Sequence, residues 1–241
     1  GPLQTTYDLG TVGKRGASLR QMAALIPSLI HARPDEEAVR RVARGAQTGF
    51  DVLRARNRDA WRELWRGRIV VDGATPDHQA LIDAAYFYLA TWHDYNYYFG
   101  HVMWDIDAFC VPPVMLSQPD AARALLDFRS RGLRAAKSNA RLSGRQGVQF
   151  PWEAAPLTGQ EAAPGAGSAA AHEDHGSLHV ARAFALFADA TGDEAFLRDD
   201  AWPVLEGVAD WIVSRLTRTA RGYELIRATG PAEVPDPPDN D

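Results

Sequence analysis

Through most of the chain, apolar residues recur at steps of three and four, the spacing that puts them on one face of a helix. Pro34-Asp35-Glu36-Glu37 places a proline and three acids where a helix would begin. Val39, Val42, Ala46, Phe50 and Leu53 then follow at helical intervals, and Trp61, Leu64 and Trp65 extend the pattern beyond a break expected near Asn57. Leu19, Met22, Leu25, Ile26 and Leu29 predict a further helix over Ser18–His31. Two short segments read as extended: Thr6-Tyr7-Asp8-Leu9-Gly10, and Ile69-Val70-Val71, which ends at Asp72-Gly73.

From Pro76 onward the pattern predicts a series of helices: Asp77–Tyr98, Pro119 to about Leu142, Gly176–Thr191, a short one at Glu194–Asp199, and Pro203–Leu216. The first ends in an aromatic cluster that includes Trp92, Tyr95, Tyr97 and Tyr98. Residues 99–118, with Pro112-Pro113, read as an irregular connection, and Gly144–Ala171 as a long Gly/Ala/Pro-rich loop of the kind that often carries function. Tyr223–Ala228 reads as a strand, and the prolines of Val234–Asp241 exclude regular structure there. The expected fold class is all-α from residue 76, a helical toroid with its functional loops at one rim. Long loops argue against a four-helix bundle. No internal repeat is apparent.

Composition narrows the function classes. The 241 residues are 46% hydrophobic and 24% charged, as in ordinary globular chains, and the formal net charge is −5. Nearly all the basic residues are arginine and none form a stripe, so nucleic acid is not an expected partner. No apolar run reaches about 18 residues, so no membrane partner is expected. The single cysteine, Cys110, allows no disulfide within the chain and reads as a packing residue. No signal peptide opens the sequence, and a cytoplasmic location is the expectation.

Three blocks place a carboxylate beside an aromatic or a tight turn: Gly100–Asp105, Gln149–Glu153 and Thr229–Glu233. A sugar site needs both elements, since an indole covers the apolar face of a pyranose while carboxylates bind hydroxyls or move protons. Trp104 and Asp105 therefore read either as pocket residues or as a core tryptophan and a helix cap. Trp152 and Glu153 read as a second substrate-contacting pair or as a half-buried tryptophan beside a surface acid. Glu233, in Gly-Pro-Ala-Glu, has a rigid turn before it but is, taken alone, an ordinary loop acid. His172, His175 and His179, with Glu173 and Asp174 close by, suggest a metal cluster, but the HExxH order is absent. No metal and no cofactor is expected; His175 reads instead as the head of a helix facing a polar pocket.

Taken in order, these blocks resemble glycoside hydrolase family 65, the group of trehalases, kojibiose and maltose phosphorylases and the glucosylgalactosyl-hydroxylysine glucosidase. The likeness covers about residues 46–241. Its blocks are Gly49-Phe50-Asp51 with Trp61 and Trp65, His101–Phe109, Gln118–Arg131, Gly147–Glu153, His175–Phe187, Thr191-Gly192-Asp193 and Gly230–Asp241. The resemblance implies the first part of an (α/α)6 catalytic barrel over 76–241, a helical linker over 34–75, and the end of an N-terminal β-sandwich region over 1–33. It implies Glu233 as the general acid of an inverting cleavage of an α-glucosidic bond, with Trp104 and Asp105 holding the non-reducing glucose and Trp152 and Glu153 nearby; His175, from its place at a helix head, is the further candidate for substrate binding. An inverting phosphorylase that uses inorganic phosphate and releases β-glucose 1-phosphate is the alternative. A non-catalytic sugar-binding relative is a third reading, prompted by Ala232 and Val234-Pro235, which depart from the family's usual residues. The expected partners are a carbohydrate substrate, phosphate in the phosphorylase case, and either a second copy or a companion chain carrying the rest of the barrel.

Overall fold

The computed structural model describes residues 6–28, 31–91, 100–163 and 172–231. These fall into two compact units, Gly1–Trp65 and Arg66–Asp241.

In the first unit, helices α1 (Pro34–Thr48) and α2 (Phe50–Leu64) follow one another and pack together. Pro34 occupies the start of α1, where its missing N–H costs nothing, and Asp35, Glu36 and Glu37 complement the positive end of the helix dipole. The break lies at Gly49, not near Asn57. Gly49 takes φ 84°, a conformation that costs glycine little, whereas Asn57 lies within the unbroken α2. Residues 18–28 are not helical, despite their periodicity; they run as coil, with Arg20 lying over the Phe50 ring. Spacing alone does not nucleate a short helix when no side of it is buried deeply. The expected strand at Thr6–Gly10 is likewise coil.

The second unit holds the core. Helix α3 (Pro76–Thr91) opens it. Strand β1 (Val102–Met103) follows, and the chain turns helical again at Trp104. The irregular connection expected over 99–118 is therefore largely helical: a π-turn at Ile106–Cys110 runs into α4 (Val111–Ser117). The prolines explain both the expectation and the outcome. Pro112 and Pro113 donate no backbone hydrogen bond, and the helical run continues through them without those two bonds. The helix gains one residue just before them, with Val111 N–H bonding back to Ile106 O. The helix expected from Pro119 to Leu142 is two, α5 (Pro119–Arg131) and α6 (Leu133–Leu142), divided at Gly132.

The long loop after α6 is pinned where it is described. Val148 N–H donates to Gly207 O (2.9 Å), and strand β2 (Glu153–Ala154) pairs antiparallel with β1. Helix α7 (His175–Thr191) ends at Gly192, whose φ of 64° is the left-handed stop. The short α8 (Glu194–Phe196) is capped by Asp193, which accepts from Phe196 N–H. It leads through a π-turn at Leu197–Ala201 into α9 (Trp202–Arg215). Strand β3 (Thr217–Thr219) pairs with β4 (Gly222–Glu224), so the strand expected at Tyr223–Ala228 begins one residue earlier and ends after Glu224.

Helix α7 is central. It packs against α4, α5 and α9, and its buried face (Val180, Ala183, Phe184, Phe187) belongs to one core with Val111, Leu126, Phe196, Val204 and Trp211. Phe196 stacks on Phe184 at 5.7 Å and meets Phe187 edge-on at 4.8 Å. Burial of this set supplies the driving force, at about 25 cal/mol per Å² of apolar surface. Among the described residues no helix is long and apolar enough to cross a membrane.

Candidate functional site

The β1–β2 ribbon joins the first two blocks. Met103 pairs with Glu153 and Val102 with Ala154, and Trp104 N–H donates to Trp152 O (3.3 Å). Residues about 50 apart in sequence thus lie side by side. A buried ion pair supports the ribbon: Arg129 Nη2 lies 2.6 Å from Asp107 Oδ2 and also donates to Met103 O (3.1 Å). Both side chains are 2% exposed. The bond to Met103 O ties β1 to α5 at the point where the chain turns from strand to helix.

Glu161 completes the corner. Its two oxygens accept the backbone N–H groups of Trp152 (2.7 Å) and Glu153 (3.1 Å), so a carboxylate from the long loop fixes the backbone that carries both side chains. Glu153 is buried, and its Oε1 lies 2.6 Å from His101 Nδ1.

The third contribution comes from the start of α7. Ser177 Oγ accepts from Phe150 N–H (2.9 Å), seating the helix on the segment that leads into β2. Gly176 faces Trp104, where a Cβ would stand 3.4 Å from Trp104 Cβ, an ordinary van der Waals contact. Trp104, 4% exposed, is then enclosed by histidines, with the His175 ring edge-on at 4.5 Å and the His179 ring stacked at 5.1 Å. Glu173 Oε2 accepts from Trp152 Nε1 (2.6 Å) and lies 3.6 Å from His175 Nε2.

The structure thus brings the segments that carry Trp104-Asp105 and Trp152-Glu153 side by side, with His175 packed on Trp104. Asp105 makes no side-chain cap bond to the helix that follows it, while Trp104 is buried, as the core reading of that residue expected. Glu233 lies outside the described residues, as do Trp92, Tyr95, Tyr97 and Tyr98. The chain before Glu233 is described to Pro231, and Thr229 N–H donates to His172 O (2.8 Å). The sequence alone does not single out His101, Asp107, Arg129 or Glu161. Nothing local marks them, because each acts on a partner 8 to 52 positions away.

Electrostatics follow from burial. Desolvation pushes the Asp105 carboxyl above its ordinary value, and the nearby Asp107 charge adds to this. Desolvation pushes His175 below 6.5, helped by His179, and burial with Arg182 also lowers His179 against the pull of Asp107 and Asp105. Both imidazoles are therefore neutral at pH 7, and each carries one donor and one acceptor. Burial together with Asp105 and Asp107 pushes the Cys110 thiol up to about 11, so it is no nucleophile at neutral pH. Among the described residues no group of three His, Cys, Asp or Glu side chains is arranged to hold a metal ion.

The model of the glycosyl hydrolase family 65 central catalytic domain matches residues 94–240. The kojibiose hydrolase of Flavobacterium johnsoniae is 30% identical over 240 residues, covering 90% of this chain and 34% of that protein. The protein-glucosylgalactosylhydroxylysine glucosidase of Gallus gallus is 34% identical over 209 residues (77% and 30%). The kojibiose phosphorylase of Escherichia coli K12 is 30% identical over 223 residues (81% and 29%). The chain spans about a third of the length of these relatives. In fold it is similar to a solved chain from the human microbiome described as a kojibiose phosphorylase, with a TM-score of 0.68 at 20% identity over 83% of this chain and 32% of that one. On the strength of the match over residues 94–240, the chain belongs to glycosyl hydrolase family 65.

Proposed function

We propose that this chain is part of an inverting enzyme that cleaves an α-glucosidic bond in a glucosyl disaccharide or a glucosylated hydroxylysine. Trp104 and Asp105 hold the non-reducing glucose, and Trp152, Glu153 and His175 complete that side of the pocket. Glu233 is the general acid, protonating the glycosidic oxygen as a nucleophile attacks the opposite face of the sugar. Residues 76–241 form the first part of an (α/α)6 barrel, after a helical linker over 34–75 and the end of a β-sandwich region over 1–33. The observation that carries this reading is the convergence of the Trp104-Asp105 and Trp152-Glu153 pairs through the β1–β2 ribbon, in a chain of this family.

Phosphorolysis is the second reading, supported by the likeness to the Escherichia coli kojibiose phosphorylase. Here phosphate replaces water and β-glucose 1-phosphate is released. Protein from the complete reading frame, incubated with kojibiose, trehalose, nigerose, maltose and glucosylgalactosyl-hydroxylysine with and without phosphate, separates the two. Phosphate-independent glucose release supports the hydrolase, and phosphate-dependent glucose 1-phosphate supports the phosphorylase. No turnover of any α-glucoside overturns both.

A further inference from the structure

Asp174 stands between two residues of the candidate site: Glu173, which accepts from Trp152 Nε1, and His175, which packs on Trp104. The Asp174 carboxylate meets the last residue of α9, Arg215, with Oδ2 2.8 Å from Nη2; their side chains are 9% and 13% exposed. The same Nη2 donates to Ile226 O (2.8 Å) and lies 3.5 Å from Arg227 O. Arg227 has φ 57°, a left-handed conformation that costs a residue with a side chain and persists only where its surroundings hold it. Two residues on, the buried Thr229 donates its N–H to His172 O. The corner 172–175, the end of α9 and the segment 226–229 are thereby closed into one ring of contacts.

We propose that Arg215 is a positioning residue for the active site: by gripping Asp174 and the 226–227 carbonyls together, it sets the height of Glu173 and His175 against the two tryptophans and orients the segment that runs on toward Glu233. The guanidinium does this through one nitrogen, Nη2, which donates to Ile226 O and pairs by charge with Asp174 Oδ2. Burial pushes the Asp174 carboxyl up and Arg215 opposes that, so the arginine also favours the charged form of this carboxylate. The kinetic consequence rests on the function proposed above; the positional one does not.

The test uses protein from the complete reading frame labelled with 5-fluorotryptophan, with the Trp152 fluorine resonance assigned through Trp152→Phe. Arg215→Ala and Asp174→Asn each displace that resonance, and the double variant displaces it no further than the larger single effect. Arg198→Ala, which removes an exposed pair with Asp199, leaves it in place. With kojibiose or another cleaved glucoside, kcat/KM falls roughly 10- to 100-fold in both single variants, the cost of about 1 Å of misplacement. Methylguanidinium restores part of the loss in Arg215→Ala but none in Asp174→Asn. A folded Arg215→Ala protein with an unmoved Trp152 resonance overturns the proposal; should that variant not fold, an unmoved resonance in Asp174→Asn overturns it equally. A displaced resonance in protein whose wild type cleaves no glucoside upholds the positioning role and overturns the proposed function.

Discussion

His101 Nδ1 lies 2.6 Å from Glu153 Oε1, across 52 residues of sequence, and this contact sets the rim of the β1–β2 ribbon. Glu153 is 7% exposed, so its carboxylate needs a partner. His101→Ala leaves that oxygen buried and unserved, at a cost of about 1–3 kcal/mol. Urea unfolding measures it; a change well below about 1 kcal/mol would show that water replaces the imidazole freely.

Asp107 and Arg129 form the most deeply buried ion pair among the described residues, each side chain 2% exposed. Removing one partner strands the other charge in the core. Asp107→Ala therefore costs about 3–5 kcal/mol, while Asp107→Leu with Arg129→Met recovers much of the loss. Thermal and denaturant unfolding of the wild type and these variants decide this. An equally unstable double variant would mean that the Arg129 bond to Met103 O, rather than the charge balance, is what matters.

Gly207 lies within α9, where exchange to alanine ordinarily stabilises a helix by about 1 kcal/mol. Here the sign reverses. A Cβ at 207 would stand 2.8 Å from Val148 Cγ2, at the point where Val148 N–H donates to Gly207 O. Gly207→Ala lowers stability by about 1–3 kcal/mol, as overpacked cores do. A rise in Tm for this variant would show that the crossing segment yields.

His175 gives a pH dependence. Its folded pKa is below the ordinary 6.5, mainly through burial. The neutral form is the one the fold prefers, so its contribution to stability is present above pH 6.5 and is lost as pH falls through the lowered value. In His175→Gln the loss of stability below pH 6.5 is shallower than in the wild type. Parallel curves from unfolding at successive pH values would assign the acid sensitivity to other groups.

Glu233→Gln keeps the size of the proposed acid and removes its transferable proton. A drop in kcat of about 10²–10⁴-fold on a natural disaccharide is expected, with a smaller loss on a glucosyl fluoride, whose leaving group needs no proton. Equal losses on both substrates would point to a binding role.

The periodicity of the chain determined that it is helical after residue 76, and the order of its tryptophan-carboxylate blocks pointed to the family. Helix-forming faces and block order are local properties, readable without knowing what they touch. Boundaries were less legible. The helix expected at 18–31 is coil over 18–28, the one through 119–142 divides, and the described part of the connection expected over 99–118 is largely helical. In those segments burial, Gly132 and the paired prolines outweighed the spacing. Tryptophans and acids marked Trp104, Asp105, Trp152, Glu153 and His175 as candidates, but only the tertiary structure decided that the segments carrying the two pairs lie side by side and that His175 packs on Trp104. It also supplied the residues that hold them: His101, Glu161, Arg129 and Arg215. Their roles are contacts across distant segments, and a contact energy depends on the distance between two side chains, which no single position in a sequence encodes.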